Sequence, residues 1–311
     1  MDKNSKILIT GSRGMVGSTL IPILQKGGHS NLLLTGSKEL DLRDRLQVDE
    51  FFSKQRPEYV IHLAARVGGI AANMAYPVEF LTDNMQMGMN VIDSSFKYSV
   101  KKLLNLGSSC IYPRDSPQPM KEEHLLSGKL EPTNEGYALA KIAALKLCEY
   151  YHKQYGCNFI SLMPPNLYGK NDHFDSANSH VLSALMSRFH KAKLDGLEEV
   201  VVWGTGNTRR EFLYDEDLCE AILHFMNNYD AKQLQPFINV GNGADISIRD
   251  LALAMKELTG YQGRITFDAT KPDGMPKKLL DTSRSNALGW KARTSISEGL
   301  RKTYEAYLGR K

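Results

Sequence analysis

No run of eighteen apolar residues interrupts this sequence of 311 residues, so a membrane-spanning helix is not expected. Lys3 and Lys6 lead straight into an apolar strand with no leader-like segment between them, and the expected location is the cytoplasm. Cysteine is scarce and scattered: Cys110, Cys148, Cys157 and Cys219 form no Cys-x-x-Cys pair, which argues against a zinc site or a disulfide framework. Four free thiols and no metal are expected. A large charge of either sign is also lacking. The net charge of +4 is mild and its basic residues are dispersed, which argues against nucleic acid and favours a phosphorylated small molecule as partner. Internal repeats and low-complexity linkers are absent, and the 42% hydrophobic and 24% charged fractions are those of an ordinary globular chain.

What is present is an alternation of apolar strands with helix-period segments. Strands are predicted at Lys6–Thr10, Asn31–Thr35, Tyr59–Ala64, Leu103–Leu106 and Phe159–Met163. Helices fall between them, from about Met15 and Asp44, then Val78–Tyr98 and Asn134–Tyr155. This rhythm predicts an α/β fold of the Rossmann type, a doubly wound parallel sheet with crossover helices. Pro164 and Pro165 stop the fifth strand, and the pattern then loosens. The expected division is a dinucleotide-binding domain over residues 1–165, with residues of about 213–240 returning to it, and a smaller C-terminal substrate-binding region over 166–311.

Gly11-Ser12-Arg13-Gly14-Met15-Val16-Gly17 follows the first strand and opens the first helix. In that context a glycine loop lets backbone approach a pyrophosphate, while the helix N-terminus faces it with partial positive charge. The second strand ends in Leu34-Thr35-Gly36-Ser37-Lys38, without a carboxylate before Glu39. An acid there would bond the ribose 2′-hydroxyl and repel a 2′-phosphate. Its lack, with Arg13 and Lys38 nearby, favours NADP(H) over NAD; Asp41 is expected near the adenine.

Tyr137 and Lys141 lie four apart on one face of a predicted helix, downstream of Ser108 at a strand end. Lowering a phenol from about 10 to about 7 needs roughly 4 kcal/mol, about what one cation at about 4 Å supplies at an effective dielectric near 20. The same spacing occurs at Tyr98/Lys102 and Tyr307/Lys311, but neither pair opens a helix after a Ser-bearing strand end. Cys110 is two residues beyond Ser108, so in extended chain the two side chains share one side, and neighbouring charge lowers a thiol enough to make it a base.

These elements together resemble the extended short-chain dehydrogenase/reductase superfamily. Longer strings, among them HLAARVGGI from His62, LGSSCIYP from Leu106, EPTNEGYALAK from Glu131, NSHV from Asn178 and PDGMPKKLLD from Pro272, are similar to the GDP-L-fucose synthase family. The resemblance implies an NADPH-dependent enzyme that epimerises GDP-4-keto-6-deoxy-D-mannose at C3 and C5 and reduces the 4-ketone to GDP-L-fucose. It implies Ser108, Tyr137 and Lys141 for reduction, and Cys110 and His180 as the acid/base pair of epimerisation. Gly11, Arg13, Gly14, Met15, Val16, Gly17, Lys38, Asp41, Leu42, Ala64, Ala65, Tyr137, Lys141, Pro164, Asn166, Leu167 and His180 are then expected at the cofactor. Arg188, Trp203, Arg210 and Lys278 are expected at the GDP-sugar, and a homodimer is implied. A nucleotide-sugar 4,6-dehydratase or 4-epimerase, or a non-catalytic NADP-binding protein on the same fold, are the alternatives.

Overall fold

A computed structural model describes residues 1–174, 181–234 and 237–310. Its centre is a six-stranded parallel sheet built from β1 (Ile7–Thr10), β2 (Leu32–Thr35), β3 (Tyr59–His62), β4 (Lys102–Leu106), β5 (Phe159–Met163) and, from much later in the chain, β9 (Phe237–Asn239). The order is β2-β1-β3-β4-β5-β9. The strands of β1, β4 and β5 are buried throughout, which is why they read as continuous apolar runs and not as alternating ones.

One face of the sheet is covered by α1 (Met15–Lys26) and α7 (Asp215–Asn228), which enclose Ile7, Ile9, Leu104, Ile160, Leu20, Ile222 and Phe225. The other is covered by α2 (Arg45–Gln55), α4 (Pro77–Lys97) and α5 (Glu135–Tyr155), around Leu8, Val60, Leu103, Phe52, Val91 and Cys148. A short α3 (Ile70–Ala75) precedes α4. Asp44 caps α2 by accepting the Leu46 and Gln47 amides, and Gly156 closes α5 in the left-handed region that a glycine enters without strain.

The remaining chain builds a second core. β6 (Asn166–Tyr168), β8 (Arg209–Tyr214), β10 (Asp245–Ser247) and β12 (Lys277–Lys278) form one small sheet, and β7 (Glu199–Trp203) pairs with β11 (Arg264–Asp268). Helices α6 (Val181–Leu194), α9 (Ile248–Thr259) and α11 (Ile296–Leu308) pack on them through Phe189, Leu251, Met255 and Tyr304. Two short helices, α8 (Ala231–Leu234) and α10 (Ser283–Ala287), flank β9. The sequence expectation missed β6 and β8: three residues after a Pro-Pro pair are too few to show a period, and the arginines of β8 mask its apolar half.

In a sheet of this order the chain leaves β1 toward β2 on one side and reaches β3 on the other. A crevice therefore opens at the carboxyl ends of β1 and β3, the place where such folds take their ligands. No helix among the described residues is long and apolar enough to cross a membrane.

Candidate active site

The glycine loop sits at that crevice. Gly11 has φ +69°, and a Cβ on it would lie 2.8 Å from the Ala64 nitrogen at the end of β3. A Cβ on Gly17 would lie 2.4 Å from the Gly11 carbonyl, so the first turn of α1 presses directly on the loop. Gly14 is the N-cap of α1; it offers no capping side chain, and the first turn carries no acid. Met15 and Val16 follow it, so this helix start presents backbone N–H groups to an anion without a competing carboxylate. Ser12 is buried and donates to the Thr35 carbonyl at 3.0 Å, pinning the loop to the end of β2.

Arg13 reaches the turn after β2 and pairs there with Glu39. Glu39 also accepts the Gly36 amide at 2.7 Å, so the nearest carboxylate after β2 is held by Arg13 and that turn. Both side chains are exposed, and Lys38 lies exposed in the same turn. Asp41 is bound by Arg43 at 2.7 Å, and buried Leu42 continues into the core beside α2, its carbonyl accepting from Asn90. Ala64 and Ala65 leave β3 beside the loop, with the Ala64 amide donating to Thr10. Pro164 lies at the end of β5 and accepts the Ser109 amide at 2.9 Å, while Asn166 and Leu167 run into β6.

Ser108 stands two residues past the end of β4 and caps one short 3₁₀ turn, Ser109–Ile111. This corrects the expected extended geometry: Ser108 and Cys110 converge because the Cys110 amide donates back to Ser108 Oγ at 3.2 Å, closing the turn. Tyr137 comes from the first turn of α5 and hydrogen-bonds Ser108. Its ring packs edge-on against Phe80 of α4. Gly136 is the residue that permits this approach, since a Cβ there would lie 2.8 Å from the Pro77 carbonyl.

Lys141 is buried one turn further along α5 and donates to the Leu106 carbonyl at 2.8 Å, with its nitrogen 5.8 Å from the centre of the Tyr137 ring. The expected lowering of the phenol by this cation is not what the geometry produces. Burial and the neighbouring Cys110 raise the Tyr137 pKa, and the Ser108 hydrogen bond offsets only part of that. Lys141 itself is brought down to about 8, burial outweighing the attraction of Cys110. Tyr137 therefore stands as a neutral phenol, a proton donor, beside a readily discharged ammonium.

Cys110 Sγ lies 3.1 Å from Lys278 Nζ and 3.3 Å from Asn134 Nδ2. Burial pushes the thiol up, but Lys278, Ser108 and Arg210 together bring its pKa below the ordinary value. Lys278 gets there by register. In the parallel pair β8/β12, Lys277 stands opposite Arg209 and Lys278 opposite Arg210. Arg209 and Lys277 both turn to Asp245, at 2.6 and 3.1 Å, so period two sends Arg210 and Lys278 to the opposite, site-facing side. Arg210 donates to the Asp273 carbonyl at 3.0 Å, next to Gly274.

Arg188 and Trp203 sit further out. Arg188 donates to the Val201 carbonyl on β7 at 2.6 Å, and Trp203 ends that strand exposed, with Lys271 over its ring. The loop after β11 joins the two groups: Asp273 accepts from Thr205, just past Trp203, and from Arg210 through its carbonyl. His180 lies outside the described residues. Asn134, Asp273 and Glu39 were not singled out from sequence; Asn134 stood inside a quoted string, but nothing in its spacing marks a partner for a thiol 24 residues earlier. Among the described residues no cluster of His, Cys, Asp and Glu could hold a metal ion.

Residues 7–241 match the model of the NAD dependent epimerase/dehydratase family. GDP-L-fucose synthase 1 of Arabidopsis thaliana is 50% identical over 307 residues, 99% of this chain and 94% of its own. The solved GDP-6-OMe-4-keto-L-xylo-heptose reductase from C. jejuni superposes with a TM-score of 0.97 at 37% identity, covering 100% and 99% of the two chains. A GDP-L-fucose synthetase from Naegleria fowleri bound to NADP superposes with a TM-score of 0.89 at 30% identity, covering 100% and 96%. With a crevice of this geometry and likeness of this extent, the chain belongs to the NAD dependent epimerase/dehydratase family, among the relatives of the GDP-L-fucose synthases.

Proposed function

We propose that this protein is an NADP-dependent epimerase and reductase that converts GDP-4-keto-6-deoxy-D-mannose to GDP-L-fucose. The observation that carries the reading is the joining of two chemistries in one crevice: Ser108, Tyr137 and Lys141 stand beside a cysteine held by a lysine 3.1 Å away. Reduction alone has no use for that cysteine, and a binding module has no use for the buried Ser-Tyr-Lys set. Residues 1–165, with the return through α7 and β9, carry the cofactor in this reading, and the remainder carries the GDP-sugar.

NADPH supplies the hydride when bound. The loop from Gly11 to Gly17 would hold its pyrophosphate, in the cradle that a Cβ on Gly11 or Gly17 would fill, and Arg13 with Lys38 would meet its 2′-phosphate. Ser108 and Tyr137 bind the 4-keto oxygen of the sugar and polarise it, which acidifies the protons on C3 and C5. Cys110 removes those protons from one side of the ring, and His180 returns them from the other. Once the configuration is set, Tyr137 gives its proton to the C4 oxygen as that carbon is reduced, and Lys141 stabilises the phenolate left behind. Arg210, with Arg188 and Trp203 beyond it, would face the GDP portion, while Lys278 stands at Cys110 on the sugar side.

The exposed apolar residues Met89 and Phe96 of α4 and Leu139 and Tyr150 of α5 support a homodimer formed by these two helices. A cytoplasmic place accompanies this reading, as the reaction consumes NADPH. The test is product identity. Incubated with the keto sugar and NADPH, the protein should oxidise the cofactor and release GDP-L-fucose. A product reduced at C4 but unchanged at C3 and C5 would make it a reductase only, and no oxidation of NADPH would end the proposal.

A further inference from the structure

Lys278 stands in an unusual relation to Cys110, because it comes 168 residues later in the chain on a strand of only two residues. We propose that Lys278 is a positioning residue for the base: it holds Cys110 as a thiolate before any substrate enters, so that an ion pair, and not a free thiol, takes the sugar's α-proton. An N–S separation of 3.1 Å is that of a charge-assisted contact, and Asn134 supplies a second donor to the same sulfur at 3.3 Å. The other groups facing the sulfur are Ser108 on its own turn, Arg210 from β8, and Tyr137 and Lys141 from α5. Two of these, Arg210 and Lys141, carry positive charge in addition to Lys278, and none carries negative charge, so the charged groups around the sulfur favour the anion.

The register that aims Lys278 is itself held. Glu211 follows Arg210 on β8, is fully buried, and accepts the Leu280 amide at 2.8 Å, two residues after Lys278. It also accepts the Gly243 amide at 2.7 Å. With the Arg209 amide donating to the Pro276 carbonyl at 2.9 Å, the strand carrying Lys278 is tied to β8 on both sides of the lysine. The inference deepens the proposed function and rests on it for the fate of the proton. In that step the C–H bond breaks, its electron pair moves through the carbon framework to the carbonyl oxygen at Ser108 and Tyr137, and an S–H bond forms on Cys110. The sulfur is neutral afterwards, which leaves the Lys278 ammonium without its anion and beside the newly negative enolate.

The test needs no substrate, so its outcome is separate from that of the proposed reaction. The rate of iodoacetamide alkylation at Cys110, followed by mass spectrometry of its peptide, is measured against pH in the full-length protein. The wild-type midpoint should fall below the free-thiol value of about 8.5. In Lys278→Met it should move up by about one to three pH units, and Lys278→Arg should restore it in large part. Melting curves establish that each variant is folded. Should Lys278→Met fail to fold, the ultraviolet thiolate absorbance of wild type minus Cys110→Ala, titrated over the same range, gives the midpoint directly. An ordinary wild-type midpoint, or one that ignores the loss of Lys278, would overturn the proposal.

Discussion

At the residue scale, the site works by charge placement more than by intrinsic reactivity. Tyr137 is not tuned to a phenolate: burial and Cys110 keep it protonated, and Lys141 is committed to the Leu106 carbonyl. A phenol in that state can give a proton but has no reason to release one unprompted. Tyr137→Phe keeps the ring against Phe80, so the variant should fold and bind NADPH while hydride transfer falls roughly 10²- to 10⁴-fold. Stopped-flow oxidation of bound NADPH checks this, and near-normal turnover would contradict the assigned role. The pairing of Tyr137 with Lys141 was legible from a spacing of four once its strand-end context was added. The direction of the phenol's shift was not, because a sequence gives the presence of a cation but not the burial and the neighbouring Cys110 that raise the phenol.

At the element scale, β8 organises the second half of the molecule. It pairs with β6, β10 and β12, and its alternation divides Arg209 from Arg210 and fixes Lys278. Beneath them, burial raises the Glu211 pKa to about 7, with the amides of Leu280, Gly243 and Asn242 pulling the other way. A folded value above the unfolded carboxylate value of about 4.3 means that the native state binds the extra proton. Stability from this group is thus complete below about pH 4.3 and is lost as pH rises toward 7, after which it is constant. Glu211→Gln, neutral at every pH, should remove that slope from the melting temperature between pH 4.5 and 7; an unchanged slope would assign it to other groups. Neither the burial of Glu211 nor the register of β8 and β12 was visible in the sequence. Arg210 and Lys278 were expected at the GDP-sugar, but only the pairing of strands distant in sequence separates the face of Asp245 from that of Cys110 and buries Glu211 between them.

At the scale of the whole molecule, the sheet was the most legible part, because strands covered on both faces must be continuously apolar and the crossovers between them must be helices. Boundaries of β1, β4 and β5 fall within about a residue of their expected places for that reason. The short strands β6, β10 and β12 could not be read, since two or three residues show no period and owe their existence to partners elsewhere. The apolar residues left exposed on α4 and α5 belong to this scale too. Sedimentation should give twice the monomer mass of 34.9 kDa, and Tyr150→Asp should shift the protein toward monomer. A wild-type monomer at micromolar concentration would remove the homodimer.

In the proposed reaction one ketone, bound by Ser108 and Tyr137, serves both the exchange at neighbouring carbons and the reduction, with Cys110 as the base. The most direct measurement is the reaction of the keto sugar with NADPH in heavy water, run on wild type and on Cys110→Ala, with deuterium located in the product by NMR. Wild type should give product labelled at both C3 and C5, and Cys110→Ala should give none while still binding NADPH. Label persisting in Cys110→Ala, or wild-type product carrying none, would contradict it.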